Sequence, residues 1–333
     1  MNFEDISRIT LLYNSFKSND ISVSEIGFGL WTLSTPGWAQ AKSTNSVSLL
    51  REAFDLGINL FDVADSYGKG YGEDLIHESL GTVRKEIVLS TKAGIDFYSP
   101  DLEGSEIRKK NFDPDYISFA CEQSLRRLNT DYIDIFQLHY PELTDVEMDG
   151  AFEAMQRLKE DGKILCWGAA LDDTSRSGEI AEILTDDRVV EVIHLPYNLI
   201  EREPLKSLED RLHRCETTVL ARRPHCYGML DGSFEMDSIE PNLFENEVIS
   251  VPKKVSGAIE LARKVIQLCR EFEIDPRKAA TQFVLENSAV ASVLPNIKDS
   301  HSLREFVEDL GSQNSRSELP NDLVLSLDEF QFS

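Results

Sequence analysis

Eight short apolar runs, each followed by a stretch of helical periodicity, constrain what this chain can fold into more than anything else in its sequence. The first, EIGFGLW, ends near Trp31, and the others fall at about 58–62, 86–91, 132–138, 163–169, 189–195, 217–221 and 290–294. Helical patterns lie between and after them, from Thr44 to Gly57 and at about 72–80, 115–128, 148–161, 176–184, 205–213, 257–286 (broken at Pro276) and 300–310. Near-continuous apolar strands are those buried on both faces of a parallel sheet, and strict strand–helix alternation implies right-handed crossovers. Eight such units in 333 residues favour a closed (β/α)8 TIM barrel, expected as a single domain over 1–333, rather than an open doubly wound sheet. No G-x-G-x-x-G follows the first run, and the Gly-rich YGKGYGED after the second lacks the Lys-Ser/Thr of a phosphate-binding loop. Ahead of the barrel, apolar Ile9, Leu11 and Tyr13 alternate with polar residues, as do Ile21 and Val23 beyond SND, which predicts a β-hairpin. Two longer segments, 94–114 and 222–252, leave from strand carboxyl ends, the barrel face that carries active sites.

Polar residues end several of these runs where a buried strand would not choose them. Asp62 closes the second, Lys92 lies just past the third and His139 follows the fourth, while Tyr67 stands five residues after Asp62 in a Gly-rich turn. Singly, each has an ordinary explanation, a helix cap for the aspartate or a satisfied core histidine. Four such groups at one rim of a barrel form a candidate active site. A free phenol with a pKa near about 10 is a poor acid at neutral pH. An adjacent ammonium stabilises its anion, and a carboxylate keeps that ammonium charged and oriented. Asp62, Lys92 and Tyr67 thus suit a tuned proton donor, with His139 within reach of the same substrate oxygen. No nucleophile or metal cluster accompanies them, so proton donation to a carbonyl would need a hydride carrier. A lyase or isomerase using Lys92 as a Schiff base stays open at this point.

Composition narrows the partners. The chain carries 59 acidic against 34 basic residues, a formal net charge of −25, which opposes binding to nucleic acid or to an anionic membrane. An anionic ligand would need basic residues focused at its site. The odd number of cysteines, Cys121, Cys166, Cys215, Cys226 and Cys269, without close spacing, reads as free thiols. The acidic opening MNFEDISRIT has no apolar core of a signal peptide, and no run approaches the about 20 apolar residues of a membrane span, so a cytoplasmic location is expected.

The motifs IGFGLW, NLFDVADSYGKGYGED, STK, YIDIFQLHYP, LKEDGKILCWG, LPYNLIERE, ARRPHCYGML and ASVLPNIKD together resemble the aldo-keto reductase superfamily over nearly the whole chain. The resemblance implies a catalytic tetrad of Asp62, Tyr67, Lys92 and His139. In it the tyrosine is general acid, lysine and aspartate tune it, and histidine positions the carbonyl. It implies a small-molecule carbonyl substrate, NADPH (NADH not excluded) laid across the barrel mouth, and a monomer or small homo-oligomer. Cofactor contacts are expected from Trp31, Asp62, Ala170, His194, Arg222, Arg223, Pro224, Asn296, Lys298 and Arg304, and a substrate wall from Trp31, Trp38, Tyr98 and Tyr140, with Phe97 beside them.

The cofactor side departs from the family's pattern. Where members commonly carry Gly-x-Ser-Asn at the end of the fifth strand, GAAL places Ala170 and Leu171. His194 stands for the usual glutamine of the sixth strand, Arg222 for an aromatic ring that stacks on the nicotinamide, and Phe306 for an asparagine near the adenosine. Lys298 and Arg304, with Asn296 nearby, remain for a 2′-phosphate, and Arg222 and Arg223 for pyrophosphate or an anionic substrate. Each carboxamide partner lost costs about 1–3 kcal/mol. A nucleotide-sensing or regulatory subunit with weak turnover is therefore the alternative expectation.

Overall fold

The structure, a computed structural model, describes residues 11–35, 44–99, 109–147, 149–172, 176–232, 252–310, 319–320 and 322–324. Its centre is an eight-stranded sheet whose strands follow one another in chain order: Phe28–Gly29, Leu60–Asp62, Val88–Ala93, Ile133–His139, Ile164–Ala170, Val192–Pro196, Thr218–Arg222 and Val290–Leu294. Every neighbouring pair is parallel. The ring closes where Ile26 bridges Val293: the Gly27 amide donates to the Val293 carbonyl (2.9 Å) and the Val293 amide to that of Glu25 (2.8 Å). The expected barrel is thus present, its first seven strands starting one to three residues later than the apolar runs and the eighth at the expected Val290. Ile58 and Asn59, for example, precede the second strand, and Asn59 caps the barrel floor instead.

The hairpin is formed by Tyr13–Ser15 paired antiparallel with Ser22–Ser24, and Ile9 lies outside the described residues. It plugs the amino-terminal mouth. Phe16 and Val23 pack with Leu60, Val88, Ile135, Cys166, Val192, Leu220 and Ala291, one inward-facing residue from most strands. Asn59 ties it down, accepting from the Ser24 amide (2.7 Å) and donating to the Ser22 carbonyl (2.9 Å).

Side chains on a strand repeat faces every two residues, so the next inward layer can be read from the first. It holds Asp62, Ser90, Gln137, Gly168 and His194, and the layer above it Lys92, His139 and Ala170. The barrel is apolar at its floor and polar at its carboxyl-end rim. That switch positions the site.

Helices Thr44–Asp55, Tyr71–Leu80, Pro114–Leu128, Gly150–Glu160, Ser177–Asp186, Pro276–Glu286 and Ser300–Leu310 surround the ring and bury a continuous apolar layer against it, while Pro252–Glu271 packs in a separate cluster with Leu199, Met229 and Ala280. Asp275 caps the helix that begins at Pro276, its Oδ1 accepting from the amides of Arg277 (2.8 Å) and Lys278 (3.4 Å), which is why the 257–286 pattern divides there. The helix expected over 205–213 is two shorter ones, Glu203–Lys206 and Glu209–Arg214. Within the first long segment Ile95–Asp96 pairs with Lys109–Lys110, while 100–108, and 233–251 of the second, lie outside the described residues. Among the described residues no helix is long and apolar enough to cross a membrane.

Candidate active site

The three polar strand ends meet inside the barrel. Lys92 Nζ lies 2.6 Å from Asp62 Oδ2 and donates a further bond to the Val63 carbonyl (2.7 Å). Ser90 Oγ donates to Asp62 Oδ1 (2.6 Å) and accepts from Gln137 Nε2 (2.7 Å). Both oxygens of Asp62 are thereby held by strand three, with Gln137 of strand four backing Ser90. Register explains the arrangement, since Asp62 stands beside Ser90, and Ser90 and Lys92 beside Ile135 and Gln137. Burial lowers the Lys92 ammonium pKa, and the Asp62 carboxylate opposes that shift.

Tyr67 comes from the turn after strand two and closes over this pair. Its ring centroid is 5.6 Å from Lys92 Nζ. The Trp31 ring stands edge-on to it at 4.9 Å, and the His139 ring at 5.8 Å. Tyr140 packs on His139, centroids 4.4 Å apart, and the Arg222 guanidinium lies 5.4 Å from the Tyr140 ring. An aromatic rim therefore runs Trp31, Tyr67, His139, Tyr140 and ends on a cation. Tyr140 (φ 59°) and Arg223 (φ 56°), the residues after strands four and seven, both adopt the left-handed backbone that non-glycine residues rarely take.

The opposite wall is built differently. Ala170 ends strand five next to His139 and offers no side-chain hydrogen bond. Leu171 is buried, with its amide donating to the His194 carbonyl (2.8 Å) and its carbonyl accepting from Arg222 Nη2 (2.7 Å). His194 points into the barrel with its Nδ1 3.9 Å from Asp62 Oδ1, and neither ring nitrogen has a hydrogen-bond partner. Burial, with Lys92 and Arg222 near, holds its pKa well below the usual histidine range, so the ring is neutral. A neutral imidazole presents one donor and one acceptor, the complement of a primary amide. Those two buried, unpartnered atoms fit a nicotinamide carboxamide, with Trp31 and Arg222 as the flat groups beside it.

Other expected residues are placed elsewhere. Arg223 faces Glu201 (3.8 Å) and covers the Tyr227 ring (4.5 Å), and Pro224 is buried in the turn that follows. Tyr98 packs among Phe97, Tyr116 and Phe119, and its hydroxyl accepts from Arg127 Nη2 (2.8 Å), a packing position behind strand three. Trp38 lies outside the described residues. Asn296 and exposed Lys298 follow strand eight, Arg304 is bound by Glu52, and Phe306 is buried against the His225 ring (4.9 Å). Among the described residues no group of acids, histidines and cysteines could hold a metal ion.

Two sets of residues escape a reading of strand ends. Ser90 and Gln137 orient Asp62, and their signal is a polar residue at an inward position inside an apolar run. Behind strand three, Glu73 accepts from Thr91 (2.7 Å) and Arg127 (2.6 Å), beside fully buried Asp65. Gly70 (φ 93°) makes room for Arg127, whose Cδ would lie 2.5 Å from a Cβ there.

A parallel eight-stranded barrel with a buried acid–ammonium pair under a tyrosine at its carboxyl-end rim defines a class of barrel oxidoreductases. The model of the aldo/keto reductase family matches residues 25–318, and the chain belongs to that family. It is 30% identical to the uncharacterized oxidoreductase YqkF of Bacillus subtilis over 295 residues, 87% of this chain and 88% of that one. It is 29% identical over 303 residues to the L-glyceraldehyde 3-phosphate reductase of Escherichia coli K12, covering 86% of each. The holo form of the aldo-keto reductase AKR11C1 from Bacillus halodurans superposes with a TM-score of 0.75 at 25% identity, covering 96% of both chains. The chain is thus an aldo-keto reductase, a family of nicotinamide-dependent oxidoreductases.

Proposed function

We propose that this chain, acting as one barrel domain, interconverts an aldehyde or ketone and its alcohol, with Tyr67 as general acid. The observation that carries the reading is the Lys92–Asp62 pair, 2.6 Å apart and almost wholly buried, with the Tyr67 ring 5.6 Å from the ammonium. In that setting the ammonium favours the tyrosinate left when Tyr67 gives up its proton, which lowers the cost of donation. Asp62 keeps the ammonium charged, and Ser90 and Gln137 keep Asp62 aimed at it. His139 orients the substrate oxygen toward the phenol, and the Trp31–Tyr140 rim excludes water. When bound, the nicotinamide supplies the hydride. The chain's own groups hold it, with His194 for the carboxamide and Trp31 and Arg222 alongside.

The resemblance implied NADPH, with Lys298 and Arg304 left for its 2′-phosphate, but Arg304 is engaged by Glu52, so the proposal specifies only a nicotinamide dinucleotide. The sensing alternative draws on Ala170 and Leu171, which give no side-chain bond to the carboxamide, whereas the fully bonded Asp62–Lys92 pair favours turnover. Cofactor titration by quenching of Trp31, Trp38 and Trp167, followed by a screen of aldehydes and ketones, separates them. Turnover that is abolished in Tyr67→Phe while cofactor affinity is retained supports the assignment; tight binding with no turnover on any carbonyl supports the sensor.

A further inference from the structure

The segment after strand eight, to which the resemblance assigns the adenosine end, carries its charges in an order opposed to a 2′-phosphate. Asp299 precedes helix Ser300–Leu310, and its Oδ1 accepts from the Ser302 amide (2.8 Å) and hydroxyl (2.9 Å). Ser302 Oγ in turn accepts from the amides of Lys298 (3.1 Å) and Asp299 (3.2 Å). The helix end is thus already bonded to the chain's own carboxylate, which the Ser302 amide holds below its ordinary pKa. On the other side, Glu52 from helix Thr44–Asp55 takes bonds from Ser300 Oγ (2.8 Å), Arg304 Nε (2.7 Å) and Arg304 Nη2 (2.6 Å). Of the two cations here, Arg304 is neutralised by Glu52 and Lys298 stands next to Asp299.

We propose that Asp299, backed by the Glu52–Arg304 pair, makes this aldo-keto reductase select NADH over NADPH. The proposal rests on the reductase reading of the site. A ribose 2′-hydroxyl can donate to the Asp299 carboxylate, the way acidic residues recognise that hydroxyl in other dinucleotide sites. A 2′-phosphate offers that carboxylate no donor and brings close to two negative charges toward it. The net charge of −25 adds a long-range penalty for the same phosphate. Asp299 and Lys298 are exposed, so the discrimination is electrostatic in part and weakens with salt.

The test is equilibrium titration of the full chain with NADH and with NADPH, read by tryptophan quenching and by calorimetry at low and high salt. NADH should bind about tenfold or more tightly than NADPH at low salt, and salt should narrow the gap. Asp299→Ser keeps a capping oxygen and removes the charge. It should improve NADPH binding several-fold and weaken NADH binding, while Glu52→Gln, which frees Arg304, should improve NADPH binding alone. Equal or tighter binding of NADPH by the unaltered chain, or an unchanged ratio in Asp299→Ser, overturns the selection and leaves the reductase reading standing. Failure of both dinucleotides to bind overturns both.

Discussion

The two walls of the barrel mouth are built on opposite principles. On strands two to four, the acid–ammonium pair is tied into a run of bonds: Gln137 donates to Ser90, Ser90 to Asp62, and Lys92 to both Asp62 and Val63. On strands five and six the side chains are either apolar, as at Ala170 and Leu171, or polar and unpaired, as at His194. A buried polar group without a partner is costly, and a satisfied network is rigid. The Asp62–Lys92 pair is thus held by the chain's own groups, although Gln137 Oε1 makes no hydrogen bond, while the two ring nitrogens of His194 are left to a ligand.

The sharpest way to break this contrast is at the proton donor. Tyr67→Phe removes only a hydroxyl and leaves the rim packed, so turnover should fall by about 10²–10⁴-fold with dinucleotide affinity nearly unchanged. Normal turnover on the true substrate would remove Tyr67 from its role. Asp62→Asn is next in size. It leaves the Lys92 ammonium buried without its counter-charge, an imbalance of about 3–5 kcal/mol. The expected readouts are a large drop in denaturation midpoint and loss of activity together. Asp62→Asn that denatured like the parent chain would mean the pair contributes little to the fold.

Much of this was legible in the sequence, and the boundary is instructive. The alternation of apolar runs and helical patterns contains the barrel because its strands are buried on both faces. The rim polar residues Asp62, Lys92 and His139 stood out because they end such runs. Ser90 and Gln137 did not, since an inward polar residue inside a strand differs from an ordinary interruption only once the register is known. Arg304 could be counted as a free cation until helix Thr44–Asp55 brought Glu52 to it across 252 residues of chain. Tyr98 likewise read as part of a substrate wall until Arg127 and Phe119 fixed it behind strand three. Pairings between distant elements are what a linear pattern omits.

On the unpaired wall, His194→Gln supplies a flexible amide in place of a neutral imidazole. It should change dinucleotide affinity by up to about tenfold while leaving the Asp62–Lys92 wall intact. It should also change the response to acid. The folded-state pKa of His194 lies below its ordinary 6.5, so the unfolded chain takes up the proton first as pH falls. His194 therefore costs stability below about pH 6.5, and above it the cost vanishes. Midpoints of His194→Gln and the parent should converge at pH 8 and separate in the variant's favour at pH 5. Parallel curves would show that the ring is not kept neutral.

A pH effect of the opposite sign is expected behind the paired wall. Asp65 is fully buried, and its carboxyl group has no partner beyond the adjacent Ser66 amide. Burial raises its pKa well above the ordinary 3.8 and Glu73 adds to the rise, while Arg127 and the Ser66 amide pull the other way. The folded chain thus keeps a proton that the unfolded chain has released, and stability falls as pH rises from about 3.8 toward the folded-state value. Asp65→Asn cannot ionise. It should match the parent near pH 4 and exceed it by about 1–3 kcal/mol at neutral pH, seen in chemical denaturation at the two pH values. A constant difference across that range would mean that Asp65 is ionised in the fold and that Arg127, already held by Glu73, serves both carboxylates.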